Sequence, residues 1–195
     1  MKAILIFVLI VVSVFFLLIK IVDKSPETPE VDYTAALDLT SPAEVAWPER
    51  GGAVEQEGFA RFKEFWRDLS EERVKEWLPQ VYAENVWFND TVKTITNRAE
   101  LLDYMLHTAS MVKSTSVDVR DIATTDAGYY VRWVMTVEPS NTRYGDKWVS
   151  IGMTHIRLNA AGEVILHQDY WDSAGGMYEH FPVLGWMIRN IKARL

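Results

Sequence analysis

Two side chains able to exchange protons stand two residues apart near the end of the chain. They are His167 and Asp169, in the run Glu163-Val164-Ile165-Leu166-His167-Gln168-Asp169-Tyr170-Trp171-Asp172. Side chains of a β-strand alternate between its faces. A strand over residues 163–172 therefore puts Ile165, His167, Asp169 and Trp171 on one face and Val164, Leu166, Gln168, Tyr170 and Asp172 on the other. A carboxylate and an imidazole among large apolar groups suit general acid–base work on a bound molecule. The plainer alternative is a strand end running into water, since buried Asp is rare unless paired. The run follows the turn Asn159-Ala160-Ala161-Gly162, where Gly162 can take the positive φ that such turns need.

A further charged group sits on an apolar run. Arg132, Val134 and Thr136 share one face of a strand expected over 129–138. If that face and the face of Asp169 both point inward, Arg132 pairs with Asp169 in low dielectric, and such a pair needs further hydrogen bonds to be tolerated. Three roles stay open for it: a buried pair that only fixes the sheet, polar anchoring of a ligand, and catalysis.

The elements that must hold these groups are legible in outline. From residue 58 the apolar spacing turns helical, with Phe59, Phe62, Trp66 and Leu69 three and four apart. Ser70 precedes a second helix with Glu71 and Glu72 in its first turn and an apolar stripe through Val74, Trp77, Leu78, Val81 and Tyr82; Pro79 should bend or shorten it. A short strand is expected over 85–89. Asn97 and Glu100 have the spacing of a capping box opening a third helix. Strands follow near 114–124, 129–138, 147–158 and 163–172, separated by turn signals. Residues 177–195 close the chain as a helical or irregular segment, interrupted by Pro182 and Gly185 and basic at its end.

Ahead of this, residues 3–22 carry only Ser13 and Lys20 as polar positions. Twenty helical residues span ~30 Å, the thickness of a bilayer core. No small-x-small cleavage site follows, so the expectation is an uncleaved signal anchor, a single membrane pass, with a cleaved signal peptide as the alternative. A short amino-terminal tail favours the folded domain on the outer, periplasmic side. Residues 23–57, rich in Pro and acid, read as a linker, of which Tyr33, Leu37, Leu39 and Trp47 could dock onto the domain. The organisation is thus an anchor at 1–22, a linker at 23–57 and a domain at 58–195.

Composition narrows the function. A net charge of −7 argues against nucleic acid as a partner. The absence of Cys excludes disulfides and thiolate chemistry, and the four His lack metal-site spacing, so neither a cofactor nor a metal is expected. Eight Trp favour a large aromatic core or an aromatic-lined pocket.

Three helices followed by a meander of long strands ending in Asp169-Tyr170-Trp171-Asp172 resemble the nuclear transport factor 2-like superfamily, and within it the SnoaL-like polyketide cyclases and limonene epoxide hydrolase. The resemblance covers residues 58–173. It implies an α+β fold in which a strongly curved antiparallel sheet wraps three helices into a cone with a pocket inside. It also implies a site of Asn89, Arg132 and Asp169, matched to the Asn, Arg and Asp of the epoxide hydrolases. Where those enzymes carry a second acid and a tyrosine, this chain has Val134 and Trp87, so two groups that position and activate water in that reaction are absent.

Two classes of function follow. One is an enzyme acting on a small apolar molecule, as isomerase, dehydratase, cyclase or hydrolase, with Asp169 as acid or base, His167 beside it, and Arg132 and Asn89 holding polar atoms. The other is a membrane-tethered binding or assembly module without chemistry. Val131, Trp133, Met135 and Val137, with Val149, Ile151 and Met153 on the next strand, are expected to form an apolar outer face that binds a second copy or a partner protein.

Overall fold

The computed structural model of the protein describes residues 29–195. The expected membrane pass at 3–22 lies outside the described residues, among which no helix is long and apolar enough to cross a membrane. Residues from Ala36 to Leu195 form one compact unit. The folded unit therefore starts well before residue 58. Helix α1 (Pro29–Leu39) occupies part of the stretch expected as linker. Arg157 is the reason the following residues are ordered: its guanidinium donates to the Leu37 carbonyl and to Thr40 Oγ1 and lies 5.1 Å above the Trp47 ring.

Three helices form the layer against the sheet. Helix α2 (Ala53–Trp66) buries Phe62, Phe65 and Trp66. Helix α3 (Glu71–Val81) buries Val74, Leu78 and Val81, and Pro79 falls in its last turn, where the helix ends anyway. Ser70 stands at its N-cap without a side-chain capping bond; the acids at 71 and 72 complement the helix dipole instead. Helix α4 (Arg98–Met111) starts as its sequence requires, with the Asn97 side chain accepting from the Glu100 N–H at 2.8 Å.

Six strands make one curved sheet: β1 (Tyr82–Asn89), β2 (Thr94–Asn97), β3 (Val112–Thr125), β4 (Gly128–Pro139), β5 (Trp148–Leu158) and β6 (Val164–Trp171). Their order is β2-β1-β6-β5-β4-β3. Pairing is antiparallel throughout except between β1 and β6, which run parallel. The carrier of His167 and Asp169 is thus an interior strand, bonded on both sides. Gly162, at φ +74, makes the turn that returns the chain into it. Short helix α5 (Ser173–Gly176) and helix α6 (Pro182–Lys192) follow β6.

Candidate functional site

The inner face of β6 carries His167, Asp169 and Trp171 into a cavity of about 550 Å³ between the sheet and helices α2 and α4. The volume suits a ligand of drug-like size. Its wall is mostly aromatic and aliphatic, including Phe62, Trp66, Phe88, Met105 and Trp133. The exposed lining residues His107, Met111, Ser140 and Asn141 mark its open end.

His167 is 1% exposed. Its imidazole is stacked on Phe88 at 4.7 Å and on Trp66 at 5.4 Å. Nδ1 lies 3.0 Å from the Tyr82 hydroxyl, and Trp66 Nε1–H donates to that hydroxyl at 3.2 Å. Burial drives the Tyr82 pKa well above its ordinary value, so the phenol keeps its proton. Indole N–H can only donate, which leaves the Tyr82 proton to be given to Nδ1. The ring therefore holds its own proton on Nε2. Nε2 lies 3.0 Å from Asp169 Oδ1, but the N–H does not point along that contact, and Nε2 has no aligned hydrogen-bond partner. A buried polar atom without an aligned partner is rare in folded proteins and singles this position out.

Asp169 is fixed from the other side. Trp133 Nε1–H donates to Thr154 Oγ1 at 2.8 Å, and the Thr154 hydroxyl donates to Asp169 Oδ1 at 2.5 Å. These contacts converge on Oδ1, so Oδ2 is the carboxylate oxygen left for a ligand. Strand register explains the cluster: Asp169 pairs with Thr154, and Thr154 with Val131. Gly152, opposite Trp133, leaves room for the indole; a Cβ there would lie 2.4 Å from its ring.

The same register removes Arg132. It is one residue past Val131 and so points to the opposite face. Its side chain is 66% exposed and binds Asp121 on the neighbouring strand. Hydrogen bonding from Arg132 lowers the Asp121 pKa, a surface effect remote from the cavity. The expected Arg132–Asp169 pair does not form. The odd positions of β4, Tyr129 to Val137, are apolar throughout, whereas the even ones include Arg132, Thr136 and Glu138, so alternation already favoured the odd face as the inner one. It is Val131, Trp133, Met135 and Val137, expected outside, that face the interior, with the last three lining the cavity. Asn89 is also outside the cavity. It bonds Thr94, the Thr91 N–H and Gln168 around the hairpin between β1 and β2.

The residue after it enters instead. Asp90 lines the cavity, accepts from the Tyr104 hydroxyl at 2.5 Å, and anchors Trp171 through its carbonyl. Burial, followed by the charge of Asp90, raises the Tyr104 pKa, so this phenol too stays protonated. Sequence reasoning missed Thr154, Asp90 and Tyr104 and misplaced two others: Tyr82, expected on the second helix, opens β1, and Trp133, expected outside, faces the cavity. Only the strand register, absent from the sequence, could have paired Thr154 with Asp169. Among the described residues no group of three His, Asp or Glu side chains could hold a metal ion.

No family model and no curated protein matches the chain. Solved structures do. An epoxide hydrolase of the limonene type from Mycobacterium tuberculosis superposes with a TM-score of 0.53 at 12% identity, over 71% of this chain and 98% of its own. A protein of ketosteroid isomerase-like fold from Catenulispora acidiphila, solved with trimethylamine, gives 0.53 at 15% identity, over 62% and 89%. A SnoaL-like polyketide cyclase, so described, from Shewanella putrefaciens gives 0.50 at 13%, over 62% and 91%. The fold is nuclear transport factor 2-like. As an NTF2-like domain it keeps the curved sheet, the helical layer and the cavity between them. At these identities the likeness concerns the fold, and the chemistry must be read from the side chains present.

Proposed function

We propose that this chain is a membrane-anchored acid–base enzyme for a small, mainly apolar molecule. The observation that carries the reading is the polar cluster in an otherwise apolar cavity, with Asp169 and an Nε2–H of His167 that no protein group satisfies. Asp169 takes a proton from a carbon or oxygen of the ligand, and the His167 N–H stabilises the oxygen on which negative charge develops. Returning that proton elsewhere on the same molecule completes an isomerisation or cyclisation; returning it to a departing hydroxyl releases water in a dehydration. Each outcome balances without an outside oxidant or reductant. Water-activated hydrolysis is supported less, because Arg132 and Asn89 stand outside the cavity. The folds of the three neighbours fit such a site.

Small molecules that co-purify with the protein, identified by mass spectrometry, provide the ligand. Asp169→Asn should keep the fold and lose turnover of that ligand by about 10²–10⁴-fold. Full activity in that variant would overturn the reading.

Residues 3–22 support a single membrane pass, with the domain on the outer side. Alkaline carbonate should leave the native protein in the membrane pellet; release of the intact chain would refute the anchor.

A second reading, a non-catalytic assembly module, draws on the outer sheet face. Val149, Ile151, Met153 and Tyr170 are exposed together there, Ile151 at 69%. This patch is suited to a second copy of the chain. An inert, ligand-free cavity in the purified native protein, together with a dimer by light scattering, would favour the module.

A further inference from the structure

Helix α6 is amphipathic, yet most of its apolar residues face away from the protein. Amphipathic helices of globular proteins set their apolar stripe against the core. Toward the protein α6 turns Gly185 and the half-buried Ile188, while Arg189 and Lys192, themselves exposed, reach back to Glu179. Gly185 packs so closely that a Cβ would meet the Glu179 carbonyl oxygen at 2.0 Å. Arg189 donates to that same carbonyl at 2.9 Å, and Lys192 reaches the Glu179 carboxylate at 2.5 Å. Val183, Leu184, Met187 and Ile191 face away, with Val183 75% exposed and Trp186 on the flank at 63%. Residues 182–195 hold three basic side chains and no acid, in a chain of net charge −7.

The helix is joined to the cavity's open end. Its N-cap residue, Phe181, lines the cavity and packs on Tyr144, 5.4 Å between ring centres, beside the exposed lining residues Ser140 and Asn141.

We propose that α6 is an in-plane membrane contact. It lies in the interface of an anionic bilayer with its apolar face in the lipid, and it sets the open end of the cavity against the bilayer, from which a lipid-soluble ligand enters. Arg194, exposed just past the helix, complements anionic headgroups, and the apolar stripe with a flanking Trp has the character of interfacial helices. An anchor at residues 3–22, on the same chain, would raise the effective concentration of bilayer at α6. This orientation rests on the proposed anchor and cavity, but it is read separately.

The chain has no Cys, so single cysteines report cleanly. The full chain, carrying Ile191→Cys, Ser140→Cys or Glu76→Cys labelled with an environment-sensitive fluorophore, is reconstituted in phosphatidylcholine–phosphatidylglycerol vesicles. The labels at 191 and 140 should show blue-shifted emission and lose intensity when nitroxide-labelled lipids are included; the label at Glu76, exposed on α3, should do neither. Met187→Cys repeats the reading one turn away in case position 191 perturbs the helix. A water-like label at both 191 and 187 overturns the proposal. So does a blue shift that nitroxide lipids do not quench, which instead marks a protein partner or second copy. Quenching at 191 without quenching at 140 overturns the orientation of the cavity. Carbonate extraction of the same vesicles reports the anchor independently, so failure of the anchor and failure of α6 are distinguishable.

Discussion

Replacing Tyr82 by Phe removes one oxygen from a side chain with no exposed surface, and the consequences can be worked out atom by atom. The Trp66 indole N–H loses its acceptor and His167 Nδ1 loses its donor. Both atoms are enclosed by aromatic rings, so neither finds water in compensation. A buried polar group left unpaired costs about 1–3 kcal/mol. With two orphaned groups and some relaxation, the loss is about 2–4 kcal/mol. In a unit of this size that lowers the thermal midpoint by roughly 5–15 °C. The substitution also releases the imidazole from the Nε2–H tautomer. Calorimetry of the purified full chain measures the first effect, and nitrogen-15 NMR of labelled histidines the second. Adding His167→Leu removes the second orphan, so the double variant should cost about 1–2 kcal/mol less than the sum of the singles. A Tyr82→Phe protein with an unchanged midpoint, or a parent protein with its His167 proton on Nδ1, would refute the tautomer argument and with it the role given to Nε2.

Gly152→Ala drives a methyl group into the Trp133 ring; overpacking of this kind costs about 1–3 kcal/mol, and displacement of the indole should also weaken the Trp133–Thr154–Asp169 chain, visible as a changed tryptophan emission. Arg132→Ala should leave both ligand turnover and the thermal midpoint as they are, because its partner among the described residues is the exposed Asp121; loss of turnover in that variant would return Arg132 to the site. Burial holds the His155 imidazole below its ordinary pKa, with Arg157 pushing the same way against the Ala127 carbonyl, and burial does likewise for His180. The unfolded chain then binds more protons in the window below about pH 6.5, so this stability is complete above that value and declines as the pH falls. Melting at about pH 7.5 and pH 5.5 should show a smaller acid loss in His155→Gln than in the parent; an equal loss would exclude this contribution. Ile151→Lys on the outer sheet face should lower the mass seen by light scattering if that face joins two copies.

The fold was legible because its signals are local. Asn97 with Glu100, the helical spacing of Phe62 and Trp66, and the turn at Gly162 each fix an element without outside help. Asp169 and His167 were legible for the same reason: two polar groups on one face of an apolar strand require an explanation wherever that strand lies. Arg132 misled because the match to the epoxide hydrolases drew it inward, although Thr136 and Glu138 share its parity and the other parity of β4 is wholly apolar; the neighbour's register, Val131 with Thr154, confirms the face. The parallel pairing of β1 with β6 brings Phe88 beside His167 from about eighty positions away, and no periodicity encodes such a meeting. Residues near 36–47 read as linker from their prolines and acids, yet Arg157 holds them through backbone acceptors that composition does not display.

The placement of the polar cluster on an interior strand has a consequence for how such a protein can diversify. The proposed chemistry rests on β6 and the facing positions of β5 and β4, where each residue is held by sheet bonds on both sides. The residues that decide what fits, Met111, Ser140, Asn141 and Phe181, sit on helix ends, connections and the approach to α6. Changes there reshape the opening without moving a proton donor or acceptor. On the proposed reading, selection can therefore exchange one ligand for another by altering the rim while the polar cluster stays intact. New specificity in descendants of this chain should appear first as substitutions around the cavity's open end, and only rarely among Tyr82, Thr154, His167 and Asp169.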